Sequence, residues 1–373
     1  MERFSSNYDI EGSLGAADPI RFIRGLWEPL SDDRTVFTMY GRNALYLGMK
    51  SISLITPKRE ILLPSYSCGE EIQAAIEAGF IPRFYRVNFM MEVDPKEIEV
   101  LVTEATAAVL ATHYLGFPLK RIGEIAALCK KEKIYFIEDC AHCCGGSPEG
   151  TPLGSYGDIS VFSLKKALGI PHGGALVANN QKISLPATAE PPSSATALDF
   201  FLFLGFRNGW IKPGFDIRKM LSDTTTEAAF GALHDKVGGY GLGLSRLAKA
   251  MIESADVKSL AIARNDNYKR YLRIFEKAKP NRIKAMFTEI DTDACPLFFP
   301  IVVDDSERKH RLLIENKICI SQPFWSHWHP ACDPAAYPEA NELKRRLMVL
   351  PVTHRISDTQ IMRLIEFVEN SDS

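Results

Sequence analysis

The chain has 373 residues, 46% apolar and 24% charged, with a formal net charge of −2. That length suits one large domain with an appendage, or two domains, and the composition is that of a water-soluble globular protein. The near-neutral charge gives no basis for nucleic-acid binding. No stretch reaches the roughly 20 apolar residues of a membrane helix.

The N-terminus, MERFSSNYDIEGSLG, has no apolar core after its charges, so no signal peptide is expected and a cytoplasmic location follows. Residues 1 to 34 are polar and turn-rich apart from Phe22 to Leu30, an arm that suits dimer contacts but carries no motif. At Gly41-Arg42-Asn43-Ala44-Leu45 a glycine turn opens a helical pattern with Leu45, Met49 and Ile52 on one face. The free N–H groups and partial positive charge of such a helix start suit a phosphate.

Glu60 to Pro64 predicts a strand, Glu70 to Ala78 a helix closed by Gly79, and Ile81 to Val87 a second strand. Ala107 to Thr112 is continuously apolar, as in a strand buried on both faces, and ends in His113-Tyr114-Leu115-Gly116. A helix from Leu119 to Glu132 leads to a strand at Ile134 to Glu138, with Asp139 at its end. This alternation predicts a mainly parallel sheet whose ligands gather at the carboxyl ends of the strands. Gly41, His113 and Asp139 all fall at such ends.

Phe136 to Val177 organises the rest of the chain. Asp139 ends one apolar run, and Lys166 lies between a second run, Ile159 to Phe162, and the pair Gly173-Gly174. A lysine and a carboxylate at neighbouring strand ends suit pyridoxal phosphate, which needs an amine to hold its aldehyde and an acid to keep its ring nitrogen protonated. Cys140, Cys143 and Cys144 form a CxxC pattern beside His142, but without a second ligand pair no metal site is expected. The eight cysteines form no secreted disulfide framework in so long a chain, so reduced thiols are expected.

Ala175 to Ala178 closes the core strand pattern, and residues 186 to 197 are loop-like. Leu198 to Phe206 is the most apolar run and suits a buried helix or a subunit contact; Phe200 to Asp235 is expected to be helical with breaks at Gly209 and Pro213. Arg246 to Ala278 predicts one long helix leading into a smaller unit. There Leu297 to Val303 and Ile318 to Ile320 are expected strands and Asp358 to Val368 a closing helix. Phe324 to His329 is unusually aromatic and suits either packing under a loop or a wall of a sugar pocket.

Glu138-Asp139-Cys140-Ala141-His142, Gly157-Asp158, Phe162-Ser163, Lys166 and Gly173-Gly174 together resemble the DegT/DnrJ/EryC1/StrS sugar aminotransferases. The resemblance covers residues 35 to 275. It implies a PLP-dependent transferase of the aspartate aminotransferase (type I) fold: α/β, with a mainly parallel sheet in a large domain, residues 1–250, and a smaller C-terminal α/β domain, residues 251–373. The family's glycine pair begins seven residues after its cofactor lysine, which selects Lys166 over Lys165 although the Ser-to-Lys gap is two residues short. Asp139 would pair with the ring nitrogen, His142 would meet the ring hydroxyl, and Ser163 would share the phosphate with Gly41, Arg42 and Asn43. Cys68 stands where the family places a ring-stacking aromatic; Tyr66 is nearby but out of register. Val237 to Ser245 resembles the family's G-Y-N-Y-R-M-S, with Gly241 and Gly243 in place of the Asn and Arg; the Asn reaches the partner subunit's phosphate site in the family.

The expected protein is a homodimer that moves an amino group from glutamate or glutamine to a keto-sugar, one linked to a nucleotide. Two alternatives remain: a PLP enzyme that dehydrates such sugars, and a non-catalytic regulatory protein on the same fold. In the dehydrating relatives histidine replaces the lysine, and this chain keeps lysine at 166.

Overall fold

The computed structural model describes residues 34–371 except 144, 147–149, 169, 190–238, 254, 256, 292–293, 319 and 353–355. The arm before Arg34, the Leu198 to Phe206 run, the Phe200 to Asp235 helix, Cys144 and Val237-Gly238 lie outside the described residues.

A seven-stranded sheet is built from β1 (Thr35–Thr38), β2 (Glu60–Pro64), β3 (Ile81–Tyr85), β4 (Thr106–Thr112), β5 (Tyr135–Cys140), β6 (Ile159–Phe162) and β7 (Gly174–Ala178). Their order is β1-β7-β6-β5-β4-β2-β3. The run from β3 to β6 is parallel, and β7 and β1 join it antiparallel. Every residue of β4 is buried, as its unbroken apolar sequence requires of a strand covered on both faces. The covering helices are α1 (Gly41–Ile55), α2 (Glu70–Glu77), α3 (Pro95–Glu99), α4 (Ile122–Glu132) and the one-turn α5 (Leu164–Leu168). Leu45, Met49 and Ile52 turn the apolar stripe of α1 onto Ile61, Ile159 and Leu176 of the sheet.

A second, antiparallel sheet, β10-β11-β9-β8, contains β8 (Lys284–Ala285), β9 (Phe298–Val302), β10 (Gln322–Pro323) and β11 (Leu347–Pro351). It is accompanied by α6 (Arg246–Glu253), α7 (Val257–Ala278), α8 (Ser306–Glu315), α9 (Pro338–Arg346) and α10 (Asp358–Asn370). Tyr268, Tyr271, Phe299, Leu350 and Leu364 form its core. Ser357 and Gln360 close a reciprocal capping box at the start of α10.

Two expectations are corrected. The single helix over Arg246 to Ala278 is two helices, because Ala255 N–H bonds the Ile252 carbonyl and tightens the end of α6. Ile318 and Ile320 are not in a strand. Ile318 N–H reaches back 2.8 Å to the Leu313 carbonyl, after Lys317 at φ 59°, so the isoleucine closes α8, and the strand begins later at Gln322.

Candidate active site

The carboxyl ends of β4, β5 and β6 bring the chemistry together. Asp139 lies opposite Thr112 on one side and Val161 on the other, and its carbonyl accepts from His113 N–H at 3.1 Å. Its carboxylate accepts from Ala141 N–H at 2.9 Å and is almost wholly buried. Burial, then the nearby Glu71 charge, raises its pKa to about 6; Ala141 N–H and the Lys166 and His113 charges work the other way. A buried acid in that position gains from a cationic N–H partner, which a protonated pyridine supplies.

Beyond β6 the chain turns once through α5. Lys166 N–H bonds the Ser163 carbonyl, and Lys165 N–H bonds the Gly173 carbonyl at 3.0 Å, so the glycine pair anchors the lysine turn. Gly174 has no alternative: a Cβ there would lie 2.6 Å from the Tyr40 carbonyl oxygen. The two lysines diverge. Lys166 Nζ lies 3.1 Å from His142 Nε2, while Lys165 Nζ lies 5.5 Å above the Tyr40 ring. His142 Nδ1 accepts from Leu115 N–H at 3.3 Å, and its Nε2 faces the amine. Burial, with the Lys166 charge adding to it, holds the imidazole pKa well below its ordinary value.

The start of α1 faces this centre. A Cβ on Gly41 would lie 3.2 Å from Ser163 Cβ, so the two elements expected to share a phosphate are adjacent. Gly41 N–H belongs to the helix-start donors, which the Tyr40 side chain does not cap. Asn43 and Arg42 point elsewhere. Asn43 Nδ2 donates to the carbonyls of Gly239 and Tyr240, and its buried Oδ1 has no partner among the described residues. Arg42 pairs with Glu70 at 3.3 Å and stands 5.2 Å from the centre of the Tyr40 ring.

The Cys68 thiol donates to Glu71 Oε2 at 3.0 Å, and burial followed by the Glu71 charge pushes its pKa well up. The aromatic ring beside the reacting centre comes instead from Trp325, just after β10. Its indole lies 5.1 Å from the His142 ring and stacks on Phe324 at 4.6 Å. Tyr66 is fully buried behind it, donating to the Phe324 carbonyl at 3.0 Å. His327 and His329 turn to the rim, toward the Cys68 carbonyl and Gln73 Oε1. Lys344 and Glu71, both buried at this edge, were not singled out from sequence, because only the fold carries α9 to the end of β2.

The remaining motif residues build the frame. His113 Nδ1 accepts from Leu119 N–H, so its Nε2–H donates to Glu138 Oε1 at 3.1 Å. Glu138 also accepts from the N–H groups of Gly154, Tyr156 and Gly157. Cys140 lies close enough for a three-ligand cluster with His113 and Glu138. Both imidazole nitrogens and the carboxylate are already in hydrogen bonds, which makes this a structural network. Asp158 receives Phe136 N–H and Asn180 Nδ2. Gly241 and Gly243 pair by backbone with Ala189 beside β1. A side chain at 243 would meet Thr188 Oγ1 at 2.7 Å, so an arginine does not fit there.

A lysine, a buried acid and a helix start thus gather at the carboxyl ends of a mainly parallel sheet, where α/β proteins bind their ligands. The DegT/DnrJ/EryC1/StrS aminotransferase family model matches residues 21–369, and the chain belongs to that family. It is 29% identical over 146 residues to GDP-perosamine synthase of Vibrio cholerae, covering 38% of this chain and 39% of that protein. It is 32% identical over 142 residues to UDP-N-acetyl-3-dehydro-alpha-D-glucosamine 3-aminotransferase of Acidithiobacillus ferrooxidans, covering 37% of each. These matches span under two fifths of either relative. Among solved structures it resembles S. venezuelae DesV in complex with a ketimine intermediate, at TM-score 0.66 and 20% identity over 95% of this chain and 88% of that one. The fold is therefore the type I fold of PLP-dependent transferases. Among the described residues no helix is long and apolar enough to cross a membrane.

Proposed function

We propose that the protein is a PLP-dependent aminotransferase that moves an amino group from glutamate or glutamine to a keto-sugar carried on a nucleotide. The observation that carries this is the Lys166 amine held 3.1 Å from a neutral His142, within electrostatic reach of buried Asp139. Pyridoxal phosphate supplies an aldehyde and an electron-withdrawing ring. Lys166 would hold it covalently and move the proton at Nζ, and Asp139 would keep the ring nitrogen charged. His142 Nε2 would meet the ring hydroxyl. The N–H groups of Gly41 and Arg42 would bind the phosphate with Ser163, Asn43 N–H being held by the Tyr40 carbonyl, and Cys68 would line one ring face.

The protein acts as a cytoplasmic homodimer on this reading, with a PLP-binding domain over residues 1–250 and a smaller one over 251–373. The test is to incubate the protein with pyridoxal phosphate and L-glutamate and no acceptor. Release of 2-oxoglutarate equal to the active sites supports the reading. Absence of a half-reaction with glutamate, glutamine or other common donors overturns it in favour of elimination or a non-catalytic role. Sedimentation at micromolar concentration tests the dimer; a monomer refutes it.

A further inference from the structure

Lys344 is a basic residue on the wrong side of its helix. Its neighbours Arg345 and Arg346 meet Glu342 at the surface, whereas Lys344 is 3% exposed and points inward. Its ammonium donates to the Ser67 carbonyl at 2.7 Å and to the Trp325 carbonyl at 3.0 Å. It also stands 5.1 Å from the centre of the Tyr66 ring and 5.0 Å from that of Trp328. Ser67 follows β2 of the seven-stranded sheet, and Trp325 follows β10 of the other sheet. One ammonium therefore joins the edges of both sheets.

The segment it holds needs holding. Trp325 has φ 52°, a left-handed backbone that a bulky residue adopts at a cost. From that position its indole lies against His142, and His142 Nε2 meets Lys166 Nζ. The contacts run Lys344, Trp325, His142, Lys166 without a gap.

Folding alone does not call for a cation there. Burial lowers the Lys344 pKa to about 8, against the Glu71 charge from α2; the Cys68 and Cys332 thiols, from the turns before α2 and α9, also face it. An apolar chain of the same length would avoid that desolvation.

We propose that Lys344 is a positioning residue for the reacting lysine: its ammonium pins Trp325 to the end of β2, and the pinned indole keeps the His142 imidazole beside the Lys166 amine. This rests on the reading of Lys166 as the reacting amine. The clamp is strongest while Lys344 is charged and weakens as pH rises through about 8.

The test compares the full-length protein with Lys344→Met. Relief of desolvation and the loss of two carbonyl partners oppose each other, so the variant melts close to the parent. Tryptophan fluorescence of the cofactor-free protein, titrated with alkali, shows a step near pH 8 that is missing in the variant. With pyridoxal phosphate bound, the single-turnover rate with L-glutamate falls about ten-fold or more while cofactor affinity changes little. The rate of the parent declines as pH passes about 8, and that of the variant is flat. Trp325→Phe reproduces the slower rate and serves if Lys344→Met fails to fold. An unchanged rate and an unchanged pH profile in both variants overturn the proposal. If the parent itself has no glutamate half-reaction, the aminotransferase reading fails. The fluorescence step then judges the clamp alone: its presence in the parent and loss in the variant support the clamp, and its absence from the parent overturns it.

Discussion

Lys166 and His142 meet at 3.1 Å although 24 residues separate them, and the imidazole is wedged between the amine and Leu115 N–H. Lys165, one residue earlier, lies over the Tyr40 ring. Borohydride reduction of the pyridoxal-loaded protein, followed by peptide mapping, is expected to place the phosphopyridoxyl group on Lys166. Lys165→Ala keeps that label and Lys166→Ala abolishes it. A label on Lys165 refutes the assignment.

Asp139→Asn removes the acid proposed to face the ring nitrogen. Turnover is expected to fall by about 100-fold or more, the order that a positioned proton-handling group contributes. Stability moves the other way. The raised pKa, from 3.8 to about 6, means the folded state holds the proton more tightly than the unfolded chain. That contribution is complete below 3.8 and is lost as pH rises through about 6, an order of ~3 kcal/mol. Cofactor-free Asp139→Asn should therefore melt higher than the parent at pH 7 to about 8 and not below pH 3.8.

Gly41→Ala places a methyl 3.2 Å from Ser163 Cβ and crowds the N–H groups at the start of α1. Affinity for pyridoxal phosphate, measured by equilibrium dialysis, should weaken about ten-fold, which corresponds to ~1.4 kcal/mol or one charge-assisted hydrogen bond. Unchanged affinity would remove this turn from the phosphate site.

Glu138 tests the frame beneath the site. Burial pushes its pKa up, but the His113 hydrogen bond and the Gly154 and Gly157 N–H groups outweigh it and hold the carboxyl low. A lowered pKa stabilises above the ordinary 4.5 and is lost as pH falls through the folded value. Glu138→Gln should thus cost stability at neutral pH and flatten the acid limb of a Tm-versus-pH curve. His113→Ala, which takes one of several donors from the buried carboxylate, should cost on the order of 2 kcal/mol in urea unfolding.

Local pattern accounts for much of this protein. The continuous apolar run of β4, the alternation of strands and helices, and the glycine that opens α1 are written in short stretches of chain, because burial on both faces and a helix start each demand particular neighbours. The placement of Lys166, Asp139 and His142 together was legible for the same reason: each lies at or just beyond the end of a strand. The break after Ile252 and the closing role of Ile318 were not, since both depend on single backbone bonds that helical or apolar periodicity does not encode. The tertiary structure alone decided which aromatic faces the centre. Residue 68 is a cysteine bound to Glu71, and the ring arrives from Trp325, 257 positions away, held by Lys344. Contacts of that range form only when α9 and β10 pack against the end of β2, and no period in the chain records where two packed layers will touch.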